Sequence, residues 1–466
     1  VNKSISEILE RVAQKSPAWA ELRYHRRETQ NIQVQKGMLK QLRSSVQSGV
    51  GIRALVDGAW GFSSTSDLSE KGLEKALKLA IECAKGLSAL KKASVKKLPT
   101  VRLARGEFVL DGYEALRSMT LEEKLGHVLK TEQTTRVGSP TIQSASCGYS
   151  EMFEDKVVVT TDGANARSKL ARNEIRVAAM ASQDGEMAEG HRNIGSTGHW
   201  QCLFQHESLG QLSETAVQLA VDLLHAPRVP GGVASLILSP AIVGLLSHEA
   251  IGHTVEADFV LSGSVAAGKL GQKVASPLVT LSDSGQVPGW QHGGGDLLVD
   301  DEGVPVQRTV VIDKGILSSY LHNRESAAHF GVAPTGNARA WLYNDEPLIR
   351  MRNTYIEPGQ TALQDMIAST EDGYLLDGAL GGQADATGEF MFGAQKVHRI
   401  KNGKLGEIYR GATISGGAFD VLSSVDAVSK EFQLDLGSGY CGKGQPAKVD
   451  AGGPYIRCKA TIGGKQ

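Results

Sequence analysis

Ser247-His248-Glu249-Ala250-Ile251-Gly252-His253-Thr254-Val255-Glu256-Ala257-Asp258 is the stretch that decides how the second half of this 466-residue chain is read. A short apolar run, Ala234-Ser235-Leu236-Ile237-Leu238, precedes it and predicts a buried strand. One helix is predicted over 241–260, carrying the two histidines. Their pattern is HExxxH, one residue longer than the zincin HExxH. The extra residue has a physical consequence. On a regular α-helix an i, i+5 pair sits about 500° around the axis, so the side chains point roughly 140° apart. A π-type turn, with its i→i+5 hydrogen bond, would bring the imidazoles back together, and Gly252 is placed to ease that distortion. Zinc then needs a third ligand and an open position. Glu249, beside the first histidine, is placed to accept a proton. Glu256 and Asp258 could ligate the ion or orient the histidines. The same residues also fit a plainer role as surface groups or a dipole-stabilised helix end.

Beyond this helix the chain reads as short strands and turns, with turn signals at Lys314-Gly315, Asp372-Gly373, Asn402-Gly403 and Gly452-Gly453. The second half is therefore expected to be a β-rich barrel or sandwich carrying the metal-site helix. Upstream, Ala226-Pro227-Arg228-Val229-Pro230-Gly231-Gly232 has the composition of a linker, which divides the chain into 1–228 and 229–466. The first part is predicted to be mixed α/β. An amphipathic helix over 1–15 leads into an antiparallel meander over 19–62, with hairpin turns at Lys36-Gly37 and Asp57-Gly58. Helices follow over 73–84, 121–131 and 206–224, and strands over 141–146, 156–161 and 174–180. The fold class is thus α+β.

Composition sets outer bounds. Lys and Arg number 50 against 51 Asp and Glu, a formal net charge of -1, which gives no general attraction to nucleic acid or an anionic membrane. The five cysteines are odd in number and widely spaced with no CxxC pair, so a disulfide framework is not expected and a reducing compartment fits. No apolar run reaches spanning length and no signal peptide is apparent, so a soluble, cytoplasmic protein is expected. Cys441 sits in the Gly-flanked loop Tyr440-Cys441-Gly442-Lys443-Gly444, where a thiolate could approach an ion; the alternative is a buried, inert cysteine. His292 and Gly293-Gly294-Gly295 suggest either a loop over a cleft or plain turn chemistry. His322-Asn323-Arg324 and Arg339 could bind a substrate carboxylate or carbonyl, and for most of them surface salt bridging is expected. Lys91-Lys92 and Lys96-Lys97 are expected to be solvated linker charges.

The run from His248 to Asp258 resembles the signature of the TldD/PmbA family, on its metal-bearing TldD side. Further motifs agree in the same order: Asp301-Glu302-Gly303-Val304-Pro305, Ala333-Pro334-Thr335-Gly336-Asn337, Gly381-Gly382-Gln383 with Thr387-Gly388-Glu389, Arg410-Gly411-Ala412, and Gly439-Tyr440-Cys441-Gly442-Lys443. The resemblance is closest from about residue 234 to the C-terminus and is one of layout upstream. It implies a two-domain zinc peptidase that cuts unfolded or flexible peptides. It implies Zn2+ held by His248, His253 and Cys441, with Glu249 as the catalytic carboxylate. It also implies a dimer, either a homodimer or a heterodimer with a metal-free PmbA-like paralogue. Two other readings stand beside it: a non-catalytic regulator of a partner such as a topoisomerase, and a structural zinc site closed by a fourth ligand such as Glu256.

Overall fold

The computed structural model describes residues 4–88 and 95–464. Lys91 and Lys92 lie outside them, and Lys96 and Lys97 are exposed. The protein is α+β, built on two large sheets. The first takes its strands from residues 19–197 and the second from 232–464. No helix among the described residues is long and apolar enough to cross a membrane.

The first sheet begins with the expected meander. Trp19–Gln35 pairs antiparallel with Met38–Val56, and that strand pairs with Ala59–Thr65. Lys36 and Gly37, then Asp57 and Gly58, have φ between 49° and 82°, the geometry of two-residue hairpin turns whose twist matches the flanking strands. The segments expected as strands over 141–146 and 156–161 are one strand, Ile142–Thr160, paired with Trp19–Gln35 on one side and Asn165–Gln183 on the other. Helices Glu70–Ser88, Leu121–Arg136 and Leu209–Leu224 cover the sheet with their apolar residues. Thr120 with Glu123, and Ser208 with Gln211, close capping boxes at two of the helix starts.

In the second half, Gly232–Leu238 pairs with Asp372–Ala384, which pairs with Glu389–Lys401, then Lys404–Gly417, then Asp450–Gly464. Asp450–Gly464 pairs back with Gly232–Leu238, so five strands close a ring. These strands are longer than expected. Asp372-Gly373 and Gly452-Gly453 lie inside strands and make no turns. At Gly373 and Gly452 a side chain would collide with the Ser235 and Gln433 carbonyls, so these glycines permit close strand approach. Short helices Arg324–Phe330, Leu363–Ala368 and Ala418–Ser423 add to the single helix expected. The metal-site helix packs against the ring, with Ile242, Leu246, Ala250, Ile251 and Val255 fully buried in the main core.

Candidate metal centre

The helix that carries the two histidines is not regular. Ser239 and Pro240 start an α-helix, Pro240–Leu245, that becomes a π-helix over Leu246–Gly252 and a 3-10 turn over His253–Val255. The His253 N–H bonds to the carbonyl of His248, five residues back. That wide turn gathers the two rings, whose centroids lie 5.2 Å apart at 84°. Gly252 itself has ordinary helical dihedrals, φ -54° and ψ -48°. Its lack of a side chain serves packing instead, because a Cβ there would run into the Met351 thioether.

Cys441 arrives from far along the chain. Tyr440–Gly442 forms a two-stranded sheet with Pro446–Lys448, and the Arg350 guanidinium donates to the Cys441 carbonyl at 2.7 Å. One potential ligand atom from each of His248, His253 and Cys441 lies within 4.8 Å of the others. The Cys441 Sγ stands 3.1 Å from Nε2 of His253. The other ring nitrogen of His253, Nδ1, lies 3.0 Å from Oε2 of the fully buried Glu256. Lys443 Nζ donates to that same oxygen at 2.9 Å.

The electrostatics suit a cation. Burial pushes the Cys441 thiol up, but His248 and His253 outweigh it and hold the thiol at about 4. Burial pulls His253 down, yet Cys441 and Glu256 raise it to about 10. Burial likewise raises Glu256, and His253 with Lys443 brings it below the usual carboxylate range. Both ring nitrogens of His248 are buried without a well-formed hydrogen bond, a costly state for an imidazole in the core unless an ion satisfies it. Two imidazoles and a thiolate are zinc's preferred donors. The residues present therefore fit Zn2+. Glu256 faces Nδ1, the ring edge away from Cys441, and does not close the group as a fourth ligand. Glu249 lies on the Nε2 side, with Oε2 3.7 Å from that nitrogen and its side chain 28% exposed.

Other expected candidates sit elsewhere. Gly293, Gly294 and Gly295 are buried at the seam between the two halves: the Gly293 carbonyl accepts from Thr197, the Gly294 carbonyl accepts from Arg172, and the Gly294 N–H donates to Asp450. His322, Arg324 and Arg339 are buried as well, not surface groups. Arg324 pairs with Asp162, and Arg339 donates to the Met351 carbonyl. Lys443 and Met351 were not singled out from sequence. Lys443 stood within the quoted Cys441 motif, whereas nothing local marks Met351.

The chain is similar along its length to known metallopeptidases. Residues 20–84, 114–224 and 231–464 match, in order, the PmbA/TldA metallopeptidase domain 1, central domain and C-terminal domain. A metalloprotease of Methanocaldococcus jannaschii is 32% identical over 452 residues, covering 95% of this chain and 96% of the relative. A zinc metalloprotease TldD homolog of Saccharolobus solfataricus is 28% identical, covering 96% and 97%. The solved structure of TldE from Thermococcus kodakarensis superposes with a TM-score of 0.79 at 20% identity, covering 99% of this chain and 100% of that one. A match along the whole length, with the family's three segments in order, makes this chain a member of the PmbA/TldA metallopeptidase family.

Proposed function

We propose that this protein is a zinc-dependent peptidase of the cytoplasm that cuts unfolded or flexible peptides. The observation that carries the reading is the convergence of His248, His253 and Cys441 with the Glu249 carboxylate on the Nε2 side of His253. The zinc ion, when bound, polarises a peptide carbonyl and lowers the pKa of a coordinated water. Glu249 takes the proton from the attacking water and passes it to the leaving amine nitrogen. Its partial exposure supports a proton carrier in contact with substrate. The position of Glu256 at Nδ1 of His253, the ring edge away from Cys441, argues against a closed structural site.

Substrate is held as an extended strand. Tyr440–Gly442 pairs with a strand on one side only, and both Tyr440 and Gly442 are exposed. Backbone pairing along such an edge gives affinity with little sequence preference, and it fixes the scissile carbonyl against the ion. A folded domain cannot present that strand. Side-by-side digestion of one protein, folded and denatured, should therefore show cleavage of the denatured form alone; equal cleavage of both counts against this substrate class. The protein acts as a dimer, with itself or with a metal-free paralogue. Light scattering of the purified chain, alone and mixed with the paralogue, should show a dimer in one case; monomer masses in both would defeat this part.

A further inference from the structure

Lys443 lies two residues beyond Cys441, on the turn that joins Tyr440–Gly442 to Pro446–Lys448. An ammonium has three donors. Here three acceptors meet them: Glu256 Oε2 at 2.9 Å, Asp258 Oδ2 at 2.7 Å and the Ile349 carbonyl at 3.1 Å. The Phe259 ring covers the same ammonium at 4.3 Å, and the Lys443 side chain is 11% exposed. No donor is left for a substrate. What Lys443 does instead is join two pieces of chain. It comes from the hairpin of Cys441, and its carboxylate partners come from the segment directly after His253.

Glu256 is placed to transmit that junction. The chain leaves the helix at this residue, with φ -64° and ψ 124°, which turns its side chain back under the His253 ring. A carboxylate only accepts hydrogen bonds, so the 3.0 Å contact sets the proton of His253 on Nδ1. In the neutral ring, the form that ligates a metal, the lone pair then sits on Nε2, on the edge that faces Cys441. Carboxylates behind metal-binding histidines fix the tautomer and the ring plane in this way. Here the same oxygen is also tied to the loop of the third ligand.

We propose that Lys443 and Glu256 form a positioning clamp that sets the tautomer of His253 and the separation of His253 from Cys441, so that the donor group is formed before the ion arrives. The inference rests on the reading that His248, His253 and Cys441 hold zinc. Neither clamp residue touches the ion or the substrate; both act through the ligands.

The test is zinc affinity of the full chain, measured by competition with a chromophoric chelator, on wild type, Glu256→Ala, Glu256→Gln, Lys443→Ala and Lys443→Arg. Unfolding of each metal-free variant is followed in parallel, and cobalt-substituted samples report ligand geometry through their visible bands. The clamp predicts a loss of roughly 10–100-fold in affinity for both alanine variants, displaced cobalt bands, and partial recovery in Lys443→Arg. Glu256→Gln, which keeps the volume, covers the case of an alanine variant that does not fold, and is expected to lose affinity too. Wild-type affinity and an unmoved cobalt spectrum in the folded variants would overturn the clamp, even if their stability fell. A wild-type chain that binds no zinc would overturn the metal reading and the clamp with it.

Discussion

Burial alone makes a cysteine a poor metal ligand, because it disfavours the thiolate. Cys147 and Cys458 show this, both pushed up by burial to about 12. Cys441 is buried as well, yet it is held at about 4, since two imidazoles stand against it. Those imidazoles belong to residues 188 or more positions away in the sequence, so the Gly-flanked loop that marks Cys441 locally does not decide between a ligand and an inert thiol. The family resemblance singled it out, where composition and spacing left it an open alternative. The glutamates differ in the same respect. Glu249 was legible because it adjoins the first histidine, whereas Glu256 became distinct once the ring of His253 was oriented. Cys441→Ser should lower zinc content sharply, because a serine hydroxyl stays protonated where the thiol ionises. Metal analysis of the purified variant checks this, and full zinc occupancy would remove Cys441 from the site.

The helix around the site was readable from arithmetic. A spacing of five between two ligands is incompatible with 3.6 residues per turn, and the π-helix over Leu246–Gly252 is the form that reconciles them. The reason for Gly252 was not readable, because Met351 lies almost a hundred residues away and meets it only in the fold. Gly252→Ala should destabilise the protein by roughly 1–3 kcal/mol through overpacking against Met351. With Met351→Ala in the same chain the loss should be smaller than the sum of the two single losses. Urea unfolding of the single and double variants tests the pair, and an unchanged midpoint in Gly252→Ala would contradict it. Strand length was misread for a related reason. Glu151 and Glu154 sit mid-strand in Ile142–Thr160, between the two segments expected as separate strands. Both are buried and answered by Lys124, Arg27 and Arg172 from other elements. Alternation rules assume that charge faces water, and a buried ion pair defeats them.

The same exception operates on the scale of the molecule, where the seam between the two sheets is built from charge. Arg53 bridges Glu21 and Glu302, and Lys156 reaches Asp301 at 3.0 Å. Lys448 pairs with Glu174, and the Arg324 guanidinium pairs with Asp162. Most of these side chains are under a tenth exposed, which is where removing one partner is most damaging. The motif Asp301-Glu302-Gly303-Val304-Pro305 thus carries anchors for the first sheet, and the chemistry stays with the helix and the Cys441 hairpin. Sequence reading conveyed the α+β class, the hairpin turns of the first half and its longer helices. It did not convey the seam, since charges that look solvated in a sequence acquire partners only in the fold. In the proposed reading the metal centre lies wholly in the second half, at His248, His253 and Cys441, and Glu249 is the residue that would separate catalysis from mere binding. Zinc content and peptide turnover of wild type and Glu249→Ala, measured side by side, test this most directly. Bound zinc in both proteins, with peptide binding retained and cleavage lost in Glu249→Ala, is the predicted result; undiminished cleavage by that variant, or cleavage by a wild type stripped of metal, would contradict it.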